Sequence, residues 1–287
     1  MIQKELDQWL QQSLTLDRPI EVVDIGASPI GVKPPYQHLL TTGLARVTGF
    51  EPNPEQFKKL KQQRSAHARY FPYAVGDGSR QDLYITHHRG FVSTFKPDDS
   101  FQRHIENFFD ATRIVDTLPV ETVRLDDISS IDHIDLLKID IQGGELVAFQ
   151  NGRQKLAHTM FIHTEVAFVR LYHGQPGFSD QELLLNEMGL LFHGFYSTNK
   201  YPLQTTGYPS SKQLRQRDPG QVVDADAIFF RDFRCLETLD SQQLMRAALI
   251  AHFVYNAAGI VGRILQILGS RGEVPRSADQ DYLGALS

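Results

Sequence analysis

Val22-Val23-Asp24-Ile25-Gly26-Ala27-Ser28-Pro29-Ile30-Gly31, answered downstream by Gly49-Phe50-Glu51-Pro52-Asn53-Pro54, decides how the rest of the chain is read. The first stretch is a short buried strand that turns sharply into a glycine-bearing loop. The second is the next strand, ending on an acid. Glycine lets a backbone come close to a ligand, and an acid at the end of the following strand can accept hydrogen bonds from both hydroxyls of a ribose. The separation of Gly26 from Glu51 fits a strand-helix-strand unit, so the pair describes a nucleoside pocket.

Three glycine-loop chemistries compete for that pocket. A dinucleotide fingerprint wants G-x-G-x-x-G, but the loop lacks the middle glycine that admits a pyrophosphate, which disfavours NAD and FAD. A phosphate loop wants G-x-x-x-x-G-K-[ST]; here Val32 intervenes before Lys33, and Pro34 stands where a hydroxyl is needed. An acid-x-Gly strand end with a distal acid suits a cofactor that has a ribose and no phosphate, and S-adenosylmethionine is the candidate.

Outward from this unit the pattern alternates strands with helices, the mark of a doubly wound α/β sheet. Strands are expected at 21–26, 46–50, 69–75, 135–141, 159–168, 190–196 and 227–233. Helices are expected at 36–42, 54–66, 180–188 and from Glu145 to Phe149. Residues 81–128 are less regular and read as an insertion over the ligand side, with exposed strands at 82–87 and 120–125 and a helix over 100–109. Residues 197–226 read as a long loop whose basic cluster, Lys212, Arg215 and Arg217, is a solvated face. Residues 2–16 space Ile2, Leu6, Trp9, Leu10 and Leu14 as one helical face. Two helices follow between 244 and 268, broken near 257–259, and the last dozen residues are expected to fray. The division is thus 1–20 as a packing helix, 21–234 as the sheet domain and 235–287 as a helical extension.

With 287 residues and 41% hydrophobic content the chain can bury a sizeable core. A net charge of -5 argues against a nucleic-acid partner. Cys235 is the single cysteine, which excludes an internal disulfide and a thiolate zinc cluster. No apolar run approaches the ~20 residues of a membrane span, the first residues lack the layout of a signal peptide, and the expected compartment is the cytoplasm. A homo-oligomer is left open.

The chain resembles the FkbM-type family of S-adenosylmethionine-dependent methyltransferases over residues 22–196. The resemblance rests on Asp24-Ile25-Gly26-Ala27, Phe50-Glu51-Pro52, Ala74-Val75-Gly76-Asp77, Ser93-Thr94, Leu137-Lys138-Ile139-Asp140-Ile141-Gln142-Gly143-Gly144-Glu145, Glu165-Val166-Ala167-Phe168 and Leu171-Tyr172-His173-Gly174-Gln175-Pro176. It implies a class I methyltransferase, Rossmann-like, with a seven-stranded sheet whose last strand, at 227–233, runs antiparallel. It also implies O-methylation of a hydroxyl on a sugar, glycoconjugate or natural product. The alternatives are a nicotinamide-dependent oxidoreductase and a catalytically inactive module that binds a glycan or partner. Two departures stand out: the loop at Ser28 is rebuilt around Pro29, Pro34 and Pro35, and Gln142 stands where the family often has an acid.

The site expected from these readings has a cofactor half and an acceptor half. Asp24, Gly26, Ala27 and Ser28 line the amino-acid end of the cofactor, Glu51 with Pro52 and Asn53 takes the ribose, and Val75 with Asp77 meets the adenine. Asp140, at the carboxyl edge of the sheet where α/β folds place ligands, serves both halves. Methyl transfer to a weakly acidic hydroxyl needs a proton acceptor, for which Asp140, Glu165 and His163 are the candidates. Ser93, Glu145, Tyr172, His173 and Gln175 shape the pocket of a small-molecule or glycan acceptor. Oxygen ligands from Asp140, Glu145 and Glu165 would suit magnesium or calcium, but Gln142 leaves the set one carboxylate poorer and a divalent metal is not favoured.

Overall fold

The computed structural model describes residues 3–27, 33–62, 65–204 and 220–286. The near-continuous apolar run that opens the argument is β1 (Ile20–Ile25), buried on both faces. It is an interior strand of a seven-stranded sheet with β2 (Ala45–Phe50), β3 (Ala68–Phe71), β7 (Leu136–Ile139), β8 (Phe161–Ala167), β9 (Leu190–Tyr201) and β10 (Gln221–Arg231). The strand order is β3-β2-β1-β7-β8-β10-β9. The β1–β2, β1–β7, β2–β3 and β7–β8 pairs are parallel, whereas β10, last in the chain, is antiparallel to both β8 and β9. The sheet is therefore doubly wound, Rossmann-like, with its final strand reversed.

Between β1 and β3 lie the short helix α2 (Gln37–Thr41) and α3 (Pro54–Gln62), and the latter starts on a proline whose missing N–H costs nothing there. The expected third strand, 69–75, is two elements. Pro72 interrupts it, so that β3 stays in the main sheet while β4 (Ala74–Val75) joins a second, three-stranded sheet with β6 (Ile114–Val123) and β5 (Arg80–Thr86). The expected helix over 100–109 is two single turns, α4 (Asp99–Gln102) and α5 (Phe108–Ala111), separated at Asn107 by a left-handed φ of 67°. After β7 come α6 (Glu145–Gln150) and α7 (Phe178–Glu187).

The expected loop of 197–226 is strand at both its ends, because β9 runs on to Tyr201 and β10 begins at Gln221, while 205–219 lie outside the described residues. Ser197 Oγ donates to Asp226 Oδ2 at 2.6 Å and Asn199 donates to Asp224, so polar side chains here bind across strands. Lys212, Arg215 and Arg217 lie outside the described residues.

One sheet face packs on helices from both ends of the chain. α1 (Gln3–Ser13), α8 (Ser241–Phe253), α9 (Ala258–Ser270) and α10 (Ala278–Leu286) share an apolar cluster with Val22, Val47, Leu136, Phe161 and Ile228. α10 occupies the residues expected to fray. Ala278 and Tyr282 are buried, and the Tyr282 hydroxyl lies 2.8 Å from Nδ1 of His252. The opposite face is a second cluster, with Val23, Ile25, Leu137, Ile139 and Ile162. Among the described residues no helix is long and apolar enough to cross a membrane.

Candidate active site

Side chains alternate between faces along a strand, so stepping two residues at a time stays on one face. On the helix-covered face, Val22, Val47, Leu136 and Phe161 are apolar and buried. Two residues further along, the same positions are Asp24, Gly49, Lys138 and His163, with Asp24 opposite Lys138 and Lys138 opposite His163 in register. One step beyond stand Glu51, Asp140 and Glu165, with Asp226 and Asp224 arriving from β10. The face turns from apolar to charged at the carboxyl edge of the parallel strands.

Gly26 makes the turn out of β1 with φ of 81°. A Cβ there would sit 2.0 Å from the Asp140 carbonyl oxygen. The glycine thus admits the end of β7, in addition to any ligand. The Gly26 and Ala27 amides both donate to the Phe50 carbonyl, at 2.9 and 3.0 Å, which sets the turn beside Glu51. Asp24 is buried and met from within the chain, by the Tyr36 hydroxyl and by Lys138 Nζ at 3.6 Å from Oδ1, an oxygen with no hydrogen-bond partner. Burial works against the Lys138 ammonium, yet Asp24, Asp140, Asp226 and Glu165 together hold its pKa above the ordinary lysine value.

Glu51 is 6% exposed, and its Oε1 accepts from the Asn53 amide at 2.8 Å. Burial first, and then the charges of Asp24 and Asp140, push its carboxyl up to about 7 against the opposing Asn53 amide and Lys138. Asn53 caps α3 through its Oδ1, which accepts from the Glu55 amide at 3.0 Å, and Pro52 lies between the two, half-buried. Phe50, Phe71 and Tyr73 form a ring stack at this edge, with Tyr73 partly open to solvent. Val75 is buried on β4. Asp77 spends its carboxylate on its own turn, taking the Ser79 amide at 2.9 Å and hydroxyl at 2.6 Å, which hold its pKa below the usual range. Ser28 lies outside the described residues.

The acceptor half gathers around Gln142. Its Nε2 lies 2.8 Å from both oxygens of Glu165 and 3.0 Å from Asp140 Oδ1, and its Oε1 accepts from the Tyr172 hydroxyl at 2.8 Å. Ser93 Oγ donates to the Gln142 carbonyl at 2.7 Å. Glu145, at the start of α6, takes the Ile141 amide at 2.9 Å and the Gly143 amide at 3.0 Å, and burial pushes its carboxyl up to about 7. Gln175 packs near Gly143 and accepts from the Leu171 amide at 2.7 Å. Burial, then Asp140, Glu145 and Asp224, drive the Glu165 carboxyl well above the carboxylate range, against its bond from Gln142.

Two expected members stand apart. His173 is exposed and faces Asp98, with Nδ1 3.5 Å from Oδ2. His163 is 3% exposed, one step deeper than Glu165, with Nε2 3.7 Å from Asp226 and its ring against Tyr196. Lys138, Tyr36, Asp224 and Asp226 are the residues that sequence reading missed, and Gln142 was noted only as a missing carboxylate. A lysine inside an otherwise apolar strand was the available signal for Lys138. Among the described residues no group of three His, Cys, Asp or Glu is placed to hold a metal ion.

A model of the FkbM methyltransferase domain matches residues 24–192, more than half of the chain. The 2-O-methyltransferase NoeI of Sinorhizobium fredii (strain NBRC 101917 / NGR234) is 29% identical over 140 residues, covering 46% of this chain and 57% of NoeI. The match thus spans little more than half the length of that relative. Among solved structures, magnesium protoporphyrin IX methyltransferase (ChlM) from Synechocystis PCC 6803 with bound SAM overlaps 79% of this chain and 77% of its own, at 11% identity and a TM-score of 0.39. The plantazolicin methyltransferase BpumL, in complex with a triazolic analogue and SAH, overlaps 80% and 86%, at 10% identity and a TM-score of 0.37.

Proposed function

Because the chain belongs to the FkbM methyltransferase family, we propose that it is an S-adenosylmethionine-dependent O-methyltransferase acting on a hydroxyl of a sugar, glycoconjugate or natural product. One observation carries the cofactor half of this reading: Glu51, a buried acid, ends β2 directly beside the Gly26 turn, where two amides share the Phe50 carbonyl. The donor set fits the cofactor. Asp24 keeps a buried oxygen without a hydrogen-bond partner, and the edge carries more carboxylates than its single lysine neutralises, which favours a cationic ligand. Glu51 would take the ribose hydroxyls through the oxygen that Asn53 leaves over. Bound there, S-adenosylmethionine would supply an electrophilic methyl group whose transfer to the acceptor oxygen leaves the sulfur neutral.

This chain's own residues do the rest. A sugar hydroxyl must be held in line and relieved of its proton around the transition state. Asp140, held beside Glu165 by Gln142 at the carboxyl edge of β7 and β8, is the proton acceptor in reach of the site, and Glu165, its carboxyl driven up by burial, is its neutral neighbour. The Asp140 side chain is 38% exposed and so open to an acceptor. His163 lies deeper and suits a role in holding Asp226. Tyr172, Ser93, Glu145 and Gln175 shape the loop behind the pair.

Calorimetry with S-adenosylhomocysteine tests the cofactor half. At about pH 8, where Glu51 is ionised, Glu51→Ala removes a charged acceptor whose hydrogen bonds are worth about 1.5–3 kcal/mol, so affinity should fall at least about tenfold. Near-native affinity in that variant would overturn the assignment. A panel of free and lipid-linked sugars, with 2-hydroxyls first in view of the relative's name, tests the acceptor half.

A further inference from the structure

Gln142 stands where the backbone asks for glycine. Its φ of 59° is left-handed, immediately before Gly143 at 113°, and a side chain kept in that conformation is held against strain. What the side chain does shows at both ends of its amide. Three carboxylate oxygens, two from Glu165 and one from Asp140, converge on Nε2 within 3.0 Å. The nitrogen has two protons to give them. On the other side the Tyr172 hydroxyl holds Oε1, and Ser93 holds the main-chain carbonyl. Oxygens converging in this way are the surroundings of a small cation, filled here by a neutral amide.

We propose that Gln142 is the positioning residue of the acceptor site, its amide taking the place of a cation that would otherwise be needed to bring Asp140 and Glu165 to one hydroxyl. The chemistry of the pair rests on the methyltransferase reading; the amide's cation-like position does not. Burial, with the charges of Asp140, Glu145 and Asp224 beside it, favours the protonated form of Glu165. Asp140, whose side chain is 38% exposed, is the member of the pair open to an acceptor hydroxyl. The charged groups facing Glu165 are Asp140, Glu145, Asp224 and Lys138, so three of the four disfavour its ionised form and only Lys138 supports it, while Tyr172 and Tyr201 face it as neutral phenols. Gln142 is the neutral donor that offsets those three.

Two variants of the full chain test this. Gln142→Glu adds a third carboxylate to Asp140 and Glu165, and manganese titration followed by electron paramagnetic resonance should show tight binding in the variant and none in the wild type. Gln142→Met keeps the length and removes the amide. It should hold S-adenosylhomocysteine within about threefold of the wild type while kcat falls by roughly a hundredfold and the acid limb of the pH-rate profile moves up. Manganese bound equally by wild type and Gln142→Glu, or by neither, overturns the proposal, as does a Gln142→Met enzyme with native kcat and profile. If Gln142→Met does not fold, the manganese comparison decides alone. Failure of the methyltransferase reading would appear separately, as a wild type that does not bind S-adenosylhomocysteine, and would leave the metal titration readable.

Discussion

In the proposed cofactor half, Glu51 is the group whose titration falls near neutral pH. Burial favours its protonated form, so its pKa lies above that of the unfolded chain, at about 7 against 4.5. Between those values the folded protein keeps a proton that the unfolded chain has released. Its contribution to stability therefore declines as pH rises from about 4.5 to about 7, and changes no further above that. Glu51→Gln removes the titration while its side-chain carbonyl can still accept from Asn53. The variant should be more stable than the wild type by on the order of 3 kcal/mol at about pH 8 and no more stable near pH 4, as measured by urea unfolding. In the wild type, affinity for S-adenosylhomocysteine should rise between about pH 6 and 8, as the ribose acceptor ionises, and Glu51→Gln should flatten that rise. A flat profile in the wild type would remove Glu51 from the ribose. The place of Glu51 at the sheet edge was legible in the sequence, because the acid directly follows an apolar strand. The roles of Lys138 and Gln142 were not, since they depend on strands brought beside them by the fold: Asp24 from β1, and Glu165 from β8.

At the scale of elements, β1 and β7 meet where the glycine turn passes the end of the neighbouring strand. Gly26 combines a φ of 81° with a Cβ position 2.0 Å from a main-chain oxygen, and backbone cannot swing aside as a side chain can. Gly26→Ala should cost about 3 kcal/mol or more in chemical unfolding and weaken cofactor binding in the fraction that folds, because the strand ends carrying Asp24 and Asp140 must separate. A loss under about 1 kcal/mol would mean that the turn adapts. The element pattern itself was readable where burial made it periodic, as in β1, β7 and β8. It was misread where a single residue divides an apolar run, as Pro72 does between β3 and β4. It was misread again where polar residues form strands, as Ser197 and Asn199 do in β9 by bonding to Asp226 and Asp224. Polar alternation of that kind looks like loop until its partner strand is known.

Across the whole molecule, charge collects at both edges of the sheet in opposite conditions. At the carboxyl edge it is strained: carboxyls are driven toward protonation and one lysine faces several of them. At the amino edge Asp135 is paired on every side. Asp135, 4% exposed, takes Arg18 through both oxygens at 2.6 and 3.0 Å, Arg246 at 3.1 Å and the Glu21 amide at 2.8 Å, and Arg246 continues to Asp17 at 2.7 Å. This node ties the segment after α1, the start of β7 and α8 into one unit, and thereby fastens the helices from both chain ends to the sheet. Breaking a buried ion pair from one side leaves the other charge without compensation and costs about 3–5 kcal/mol. Asp135→Asn should lose that much in urea unfolding and make the segment between α1 and β1 an early site of limited proteolysis. Its kcat, measured on the folded fraction at saturating cofactor, should stay within about twofold of the wild type, because no group at the carboxyl edge is touched. A variant that kept its stability would show the two chain ends to be held by apolar packing alone. One that kept its stability but lost kcat would show instead that charge at one edge of the sheet is felt at the other.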